Sequence, residues 1–293
     1  TEIYTLSLHD ALPIFLYPSY GDTYPTYNGA IGMTYEQAGH SRGGLAIETE
    51  DGDTLTLLDR ITHHYTTGLS TVEVASQNVN RIVDEFVKFF SEGKNNPKAE
   101  YNTYIISKSN HIDKLNDLQD WLDKNGIQYG TASASRSYKG FNYKTGKTGS
   151  VKTNVGDLVI SANQSKSVLV QVLFEPKTTL RDTLTYDLTA WAIPYVYGLV
   201  AVAVKSNVKM STAKRFVSKT EKPSGVPYAY ILPWKGIWDI KFLSVLFKND
   251  VVVRVTEEPF ELNGKTFDSG TLVITRKGNE KLEIGRASGR ERV

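Results

Sequence analysis

The sequence predicts a mixed α/β protein, and three features of the 293-residue chain lead to that class. Apolar side chains recur every three or four residues from Leu58 to Phe89, which is the spacing of one helix face. Strand-like and helix-like segments alternate from Tyr101 onward. The pair Asn263–Gly264 separates two strand-like runs, which is a strong hairpin signal.

Both ends of the chain are predicted to be non-native. Residues 1–14, TEIYTLSLHDALPI, translate back into DNA that resembles a common short-read sequencing adaptor. Residues 283–293, EIGRASGRERV, differ at Gly289 alone from a translation of the reverse complement, which has Cys there. We therefore expect residues 15–282 to be an internal fragment of a longer gene, and both ends are excluded from fold reasoning.

The first half of the native part is predicted to contain one strand and one long helix. AIGMTYE (residues 30–36) is typical of a buried strand. The helix begins at a cap formed by Asp53 or Thr54 and ends at Gly93, with a kink near Gly68. SEGKNNPKAE, residues 91–100, is predicted to be a linker.

The second half begins with a strand, a helix and a strand. YNTYIIS (101–107) and QYGTAS (128–133) are strand-like, and the helix between them starts at an Asn110 cap and ends at Gly126. This order predicts a parallel sheet with right-handed crossovers. Residues 165–176 fit either a helix or a strand, and the apolar segment that ends at Val204 changes from helical spacing to a strand-like tail.

Composition excludes several classes of function. The net charge of +2 gives no case for nucleic-acid binding. No apolar run approaches the length of about 18 residues that a membrane-spanning helix needs. The chain has no cysteine, which excludes disulfides, thiolate metal sites and a cysteine nucleophile.

Several phrases resemble a known family. YPSYGDTYPTYNGAIGMTYEQAG (17–39), followed by HHYTTGLSTVE (63–73), resembles the end of the catalytic domain of carboxypeptidase A-like zinc carboxypeptidases. In a bacterial branch of that class the peptidase is followed by a module akin to the class I glutamine amidotransferase fold. VLFEPKTTLRDTLTYDLTAWAIPYVYGL (172–199) and VVVRVTEEPFELNGKTFDSGTLVI (251–274) resemble that module.

The resemblance implies two domains. Residues 15–97 would be the C-terminal part of a carboxypeptidase-like α/β catalytic domain, and residues 98–282 a flavodoxin-like, amidotransferase-like α/β domain. It also implies a peptide or protein substrate and a periplasmic or extracellular location for the full-length parent.

The resemblance implies a role for one carboxylate. GMTYEQAG matches the strand that carries the family's catalytic glutamate, so Glu36 takes the role of general base towards a metal-bound water. A mobile tyrosine upstream of that glutamate contacts substrate in the family. Tyr17, Tyr20, Tyr24 and Tyr27 all precede Glu36, and Tyr17 or Tyr20 is favoured.

The zinc ligands are expected to lie upstream of this chain. The family takes them from an H-x-x-E pair and a later histidine, and none of the five histidines here has a glutamate three residues later. His63 and His64 are adjacent on the long helix and point about 100° apart, so they suit a solvated face better than a shared metal. His40 is a minor candidate for the cleft, and His111 is expected to be exposed. We therefore expect zinc in the parent and no metal site in the fragment.

The second module lacks the cysteine that active amidotransferases use, so glutaminase chemistry is ruled out. Its aromatic residues fit either a core or a binding groove: Trp191, Tyr195, Tyr197, Trp234 and Trp238. The sequence thus favours a fragment of a zinc metallocarboxypeptidase that is inactive as it stands. The alternatives are a peptide- or glycan-binding scaffold module and a catalytically dead family member.

Overall fold

The helices and strands of this chain are taken from a computed structural model that describes residues 17–35, 46–49, 51–178, 191–217 and 227–280. The helices are α1 (Thr23–Thr26), α2 (Leu57–Gln77), α3 (Val79–Asn95), α4 (Ile112–Lys124), α5 (Ser167–Phe174), α6 (Ile193–Val196) and α7 (Ile237–Lys248). The strands are β1 (Ala46–Glu48), β2 (Thr54–Thr56), β3 (Thr103–Ile106), β4 (Tyr129–Ala132), β5 (Arg136–Asn142), β6 (Lys147–Thr153), β7 (Leu158–Ser161), β8 (Ala201–Val204), β9 (Met210–Thr212), β10 (Ala229–Leu232), β11 (Arg254–Val255), β12 (Phe260–Leu262), β13 (Lys265–Phe267) and β14 (Leu272–Thr275).

The mixed α/β class is confirmed by this set of elements. The predicted adaptor-derived segments, residues 1–14 and 283–293, lie outside the described residues. The contacts divide the chain into two compact units. One unit comprises Thr1–Ser107 with Leu122–Ala213, and the other comprises Lys108–Trp121 with Lys214–Val293. The domain boundary between residues 97 and 98 stays a prediction.

The first unit is built on a seven-stranded sheet in the order β6-β5-β8-β3-β7-β4-β9. β3 and β4 flank helix α4 in the chain, as predicted, and both pair antiparallel with β7, which lies between them. They therefore run in the same direction without being neighbours, which is the split β-α-β arrangement. After β7 the chain continues through α5 and α6 to β8. Strand β8 pairs with β3 on the side away from β7.

The predicted parallel pairing is therefore wrong. Every pair of described strands in this sheet is antiparallel. A flavodoxin-like sheet has mostly parallel neighbours, so the pairing also contradicts that part of the predicted fold. The physical reason is that β7 pairs with both strands of the predicted β-α-β unit, and this long-range partner leaves no trace in the local pattern.

The long hairpin of β5 and β6 covers one face of the sheet. The C-terminal half of β5 pairs with β8 from Gly140 to Asn142, and its N-terminal half pairs with β6 alone. Tyr138 and Val151 from this outer half pack with Ile105 and Ala132 in one apolar cluster. A Cβ on Gly140 would lie 2.6 Å from the Ala203 carbonyl oxygen, so glycine permits the close contact of the two strands.

Helix α5 packs on the other face of the sheet. The ring of Phe174 lies 5.5 Å from the ring of Tyr104 on β3. Leu169 and Val170 are fully buried, so the segment that fitted either a helix or a strand is a core helix. Helix α4 also matches its prediction, because Leu115, Leu118 and Leu122 are buried.

The predicted long helix is interrupted at Asn78, whereas α2 runs without a break through Gly68, where the predicted kink stays a prediction. The Asn78 side-chain amide donates to the Val74 carbonyl at 2.8 Å and competes with the backbone there. Thr56, with Asp59, forms the N-terminal capping box in place of Asp53 or Thr54. The helix also continues past Gly93 to Asn95, which shortens the predicted linker.

Helix α2 turns its apolar side outward. Leu58, Tyr65 and Val72 are 72%, 67% and 68% exposed. The side turned inward carries polar residues: Arg60 is buried, and Thr71 forms a hydrogen bond of 2.5 Å with the Tyr35 hydroxyl. The periodicity thus predicted the helix and its apolar face, and in the described part of the chain that face is exposed.

The second unit contains a three-stranded antiparallel sheet in the order β10-β14-β11, the β12–β13 hairpin and helix α7. Leu246 of α7 packs with Val251 and Ile274 in its apolar cluster. The predicted hairpin turn is confirmed: Asn263 and Gly264 have φ angles of 51° and 72°, as a type I′ turn requires.

Candidate functional site

The two favoured substrate-binding tyrosines lie next to each other. The rings of Tyr17 and Tyr20 meet edge to face at 5.2 Å, and the Tyr17 ring lies 6.2 Å from that of Trp191. The other candidates are placed differently: Tyr24 donates to Asn125 Oδ1 at 2.7 Å, and Tyr27 is buried. Their role towards a substrate stays a prediction.

The predicted general base, Glu36, and the minor candidate His40 lie outside the described residues. The segment just before Glu36 is described, and it differs from the prediction. Residues 30–35 form no strand, and Ile31 and Met33 are 66% and 48% exposed. A strand requires a neighbour for its backbone hydrogen bonds, and no described strand pairs with this segment.

Aromatic side chains collect at the C-terminal end of α5. Trp191 Nε1 donates to the Val172 carbonyl at 3.1 Å, the Tyr143 hydroxyl donates to the Phe174 carbonyl, and the Tyr195 hydroxyl donates to the Pro176 carbonyl at 3.2 Å. The last carbonyls of a helix have no partner within the helix. Trp191 and Tyr143 therefore stabilise the last turn of α5, and Tyr195 bonds to Pro176 just beyond it, which supports a structural role for Trp191 and Tyr195.

Glu175 follows the last residue of α5 and is half-buried among these rings. Burial raises the pKa of its carboxyl above the ordinary value, and the nearby negative charge of Glu100 adds to the rise. A hydrogen bond of 2.6 Å from the Thr178 hydroxyl to Oε1 opposes it. A carboxyl with a raised pKa can donate or accept a proton closer to neutral pH than an exposed one.

The tyrosines around Glu175 also have shifted pKa values. Burial, followed by the charge of Glu175, raises the pKa of Tyr27 to about 12. The same two causes raise the pKa of Tyr104, and burial with the neighbouring phenols raises that of Tyr143. All three side chains are therefore neutral hydrogen-bonding groups at physiological pH. Lys205 Nζ lies 3.8 Å from Oε1 of Glu100, the second carboxylate near these tyrosines, and places a positive charge beside it.

The described histidines form no metal site. His63 and His64 lie on α2, where His63 is exposed and His64 half-buried. His111 Nδ1 lies 3.3 Å from the Asp113 carboxylate, and the side chain expected to be exposed is partly buried there. Within residues 17–35, 46–49, 51–178, 191–217 and 227–280, no three His, Cys, Asp or Glu side chains group as metal ligands would.

The five aromatic residues that fitted either a core or a binding groove are divided between the two units. Trp191, Tyr195 and Tyr197 belong to the first unit, and Trp234 and Trp238 to the second. Trp238 Nε1 donates to Asp117 Oδ2 at 2.6 Å. Trp234 lines an open cleft of about 350 Å³ together with Pro233, Lys235, Lys265, Thr266, Phe267, Asp268, Ser269 and Thr271.

Glu175 is the site residue that the sequence interpretation missed. The available signal was a carboxylate at the end of the apolar run SVLVQVLF, directly before Pro176. Its environment could not be read from that run, because the neighbouring tyrosines come from residues 27 to 195 of the chain.

Comparison with known proteins identifies no relative: no family model, curated protein or solved structure matches this chain. None of the helices in the described residues is both long and apolar enough to cross a membrane.

Proposed function

We propose that the chain is the C-terminal part of a zinc-dependent metallocarboxypeptidase whose parent hydrolyses peptide bonds, with Glu36 as the general base. The observation that carries the proposal is the phrase YPSYGDTYPTYNGAIGMTYEQAG, which resembles the end of that catalytic domain. The edge-to-face pair of Tyr17 and Tyr20 supports it, because both precede Glu36 in this phrase and can offer aromatic contacts to a substrate.

The described residues do not fit a zinc site, since no three ligating side chains come together in them. The proposal therefore assigns the zinc ligands to a preceding part of the parent, and the present chain is proposed to be inactive by itself. A periplasmic or extracellular location is proposed for the parent on the same resemblance.

The decisive experiment uses the complete parent gene. We expect the parent protein to contain zinc and to release C-terminal residues from peptides. The Glu36→Gln variant should keep its zinc and lose about 10²- to 10⁴-fold in kcat, which is the usual contribution of a general base. Glu48→Gln, on strand β1, is the matched control and should keep wild-type turnover. Wild-type turnover in Glu36→Gln would show that the assigned base is wrong.

A peptide-binding module is the second candidate, and the cleft beside Trp234 favours it. Lys235 and Lys265 place two ammonium groups at the cleft, and Trp234 is 42% exposed. A peptide with a free carboxylate and an apolar last residue suits this lining. Titration with acetylated dipeptides should change the tryptophan fluorescence of the wild type and leave Trp234→Phe unchanged. Saturation by an uncharged oligosaccharide instead would favour the glycan alternative.

A further inference from the structure

Strand β6, the second strand of the β5–β6 hairpin, lies at one edge of the seven-stranded sheet. It pairs with β5 at seven consecutive positions, from Lys147 to Thr153, and no described strand lies on its other side. The pairing contains no bulge and β6 contains no proline, so two features that commonly block an exposed edge are missing here. The β6 edge can therefore accept a further strand.

The hydrogen bonds of β5 identify the residues of β6 that face this free side. The backbone N–H of Tyr143 donates to the Ala201 carbonyl at 3.2 Å, so the backbone of Tyr143 points towards β8. Because this direction alternates along a strand, Asn142 and every second residue before it point towards β6, and their partners on β6 point back. Three residues lie between those partners and turn their N–H and C=O groups away from the sheet: Thr148, Ser150 and Lys152.

The hairpin also carries a dense positive charge. Between Lys124 and Asp157 the sequence contains five cationic residues and no aspartate or glutamate. None of the five forms an ion pair with another of the described residues. All five are exposed: Arg136, Lys139, Lys144, Lys147 and Lys152.

Two of these lysines lie on one face of the hairpin, beside the β6 edge. Lys152 pairs with Ser137 and Lys139 pairs with Ser150, so the two lysines are diagonal neighbours whose like charges repel each other. Thr148 and Ser150 on the same face are small and exposed, which leaves the backbone of the edge accessible. Lysine beside an edge opposes pairing with a basic strand or a second copy of itself, and it favours a strand of opposite charge.

We propose that the β6 edge binds an extended acidic segment of a partner polypeptide, which adds to the sheet as an eighth strand. The outward N–H and C=O groups of β6 supply main-chain hydrogen bonds, and the lysines pair with carboxylates of the added strand. The binding does not depend on peptidase activity, so this proposal and the proposed function can fail separately.

A polypeptide fits this surface better than a nucleic acid does. The outward carbonyls of β6 need donors, and a strand supplies them at the required spacing, whereas phosphates supply acceptors only. The aromatic rings of the hairpin region are also unsuited to stacking on bases. Phe141 and Tyr143 are buried, and Tyr138 packs against the apolar cluster that contains Ile105.

The test measures binding of a fluorescein-labelled peptide to the whole chain by fluorescence anisotropy. The probe is a seven-residue peptide of alternating glutamate and threonine, blocked at both ends, which matches the length of β6. The wild type should bind it saturably, and more weakly as added salt screens the charges. The same peptide with lysine in place of glutamate should not bind. Failure of the wild type to bind the acidic probe would overturn the proposal.

Two sets of variants separate the charge from the backbone. Lys147→Glu/Lys152→Glu should weaken binding about tenfold, because attraction becomes repulsion at both positions. Ser150→Pro removes the central outward N–H, which an edge strand tolerates, and should weaken binding about tenfold. Ser150→Ala keeps that N–H and should bind as the wild type does. Equal binding by the two Ser150 variants would show that charge alone holds the peptide, with no added strand, and would overturn the proposal.

The peptide allows the same test without any change to the protein. Methylation of its glutamate nitrogens or of its threonine nitrogens gives two probes of identical charge, and only one of them loses the donors that face β6. That probe should bind about tenfold more weakly than the other. Equal affinity of the two probes would contradict strand addition.

Amide hydrogen exchange locates the contact. With saturating peptide, the amide hydrogens of Thr148, Ser150 and Lys152 should exchange about tenfold more slowly, whereas those of Gly149 and Val151, already bonded to β5, should change little. Unchanged protection of Gly149 in each variant also shows that the hairpin is folded. Protection confined to other strands would contradict the proposal. A single-stranded RNA that displaces the peptide without protecting these amides would assign the surface to nucleic acid and overturn it.

Discussion

Glu175 shows how burial of one carboxyl couples proton binding to stability. Its pKa is raised in the folded protein, chiefly by burial, so the folded state binds its proton more tightly than the unfolded state does. Stability from this group is fully present below the unfolded pKa and is lost as the pH rises through the folded pKa. Above that range the buried negative charge opposes folding.

The variant Glu175→Gln removes this charge and should be more stable than the wild type at neutral pH. The difference should shrink as the pH falls below about 4.5, where the wild-type carboxyl is protonated in both states. Urea unfolding at a series of pH values measures it. A wild type that gains stability relative to the variant as the pH rises would contradict the proposed environment of Glu175.

Two glycines inside helices should respond oppositely to substitution. A Cβ on Gly93 of α3 would lie 3.1 Å from both the Gln164 carbonyl oxygen and the Ser167 Cβ, whereas one on Gly68 of α2 would meet nothing within 4 Å. Gly93→Val should therefore cost about 1–3 kcal/mol of stability through overpacking. Gly68→Ala should add roughly 0.5–1 kcal/mol.

Denaturant titration of both glycine variants provides the measurement, since the midpoints should move in opposite directions. Equal destabilisation by the two substitutions would show that α2 is packed against the chain at Gly68.

At the scale of single elements, the β12–β13 hairpin depends on its turn. Gly264 has a φ angle of 72°, which a side chain makes costly, and the rings of Phe260 and Phe267 stack at 5.0 Å across the pair. Gly264→Ala should destabilise the hairpin by about 1 kcal/mol. Faster amide exchange confined to residues 260–267 would show this, and an unchanged rate would contradict the turn assignment.

The elements that the sequence predicted well are those specified by local patterns. The buried positions of α4, the strand character of Tyr104 to Ile106 and the Asn263–Gly264 turn follow from periodicity and backbone conformation. The antiparallel insertion of β7 between β3 and β4 could not be predicted in this way. It depends on pairing of segments about 50 residues apart, which alternation of apolar residues does not encode.

The candidate site was less predictable than the fold for a related reason. The environment of Glu175 is assembled from tyrosines contributed by several distant segments of the chain. The rings of Tyr17 and Trp191 likewise meet although the two residues are far apart in the sequence. Periodicity also identified the apolar side of α2 as one face, but it cannot say whether that face meets the core, another chain or solvent.

At the scale of the whole molecule, stability should be unevenly distributed. All residues of β3 and most of β7 are buried within the first unit, whereas α2 is exposed on most of its surface. Amide hydrogens of Ile105 and Val159 should therefore exchange slowest, and those around Leu69 much faster. Residue-resolved hydrogen exchange measures this difference. Equal protection of α2 and β3 would contradict this.

The position of β3 between two later strands has a consequence for how the chain is made. Ile106 leaves the ribosome well before either neighbour, since β7 begins at Leu158 and β8 only at Ala201. At a translation rate of about 5–20 residues per second, the nascent strand waits roughly 5–20 s with at least one edge unpaired. TYII is then an exposed, uncharged β-segment, so chaperone capture of the growing polypeptide should centre on it until β8 has emerged.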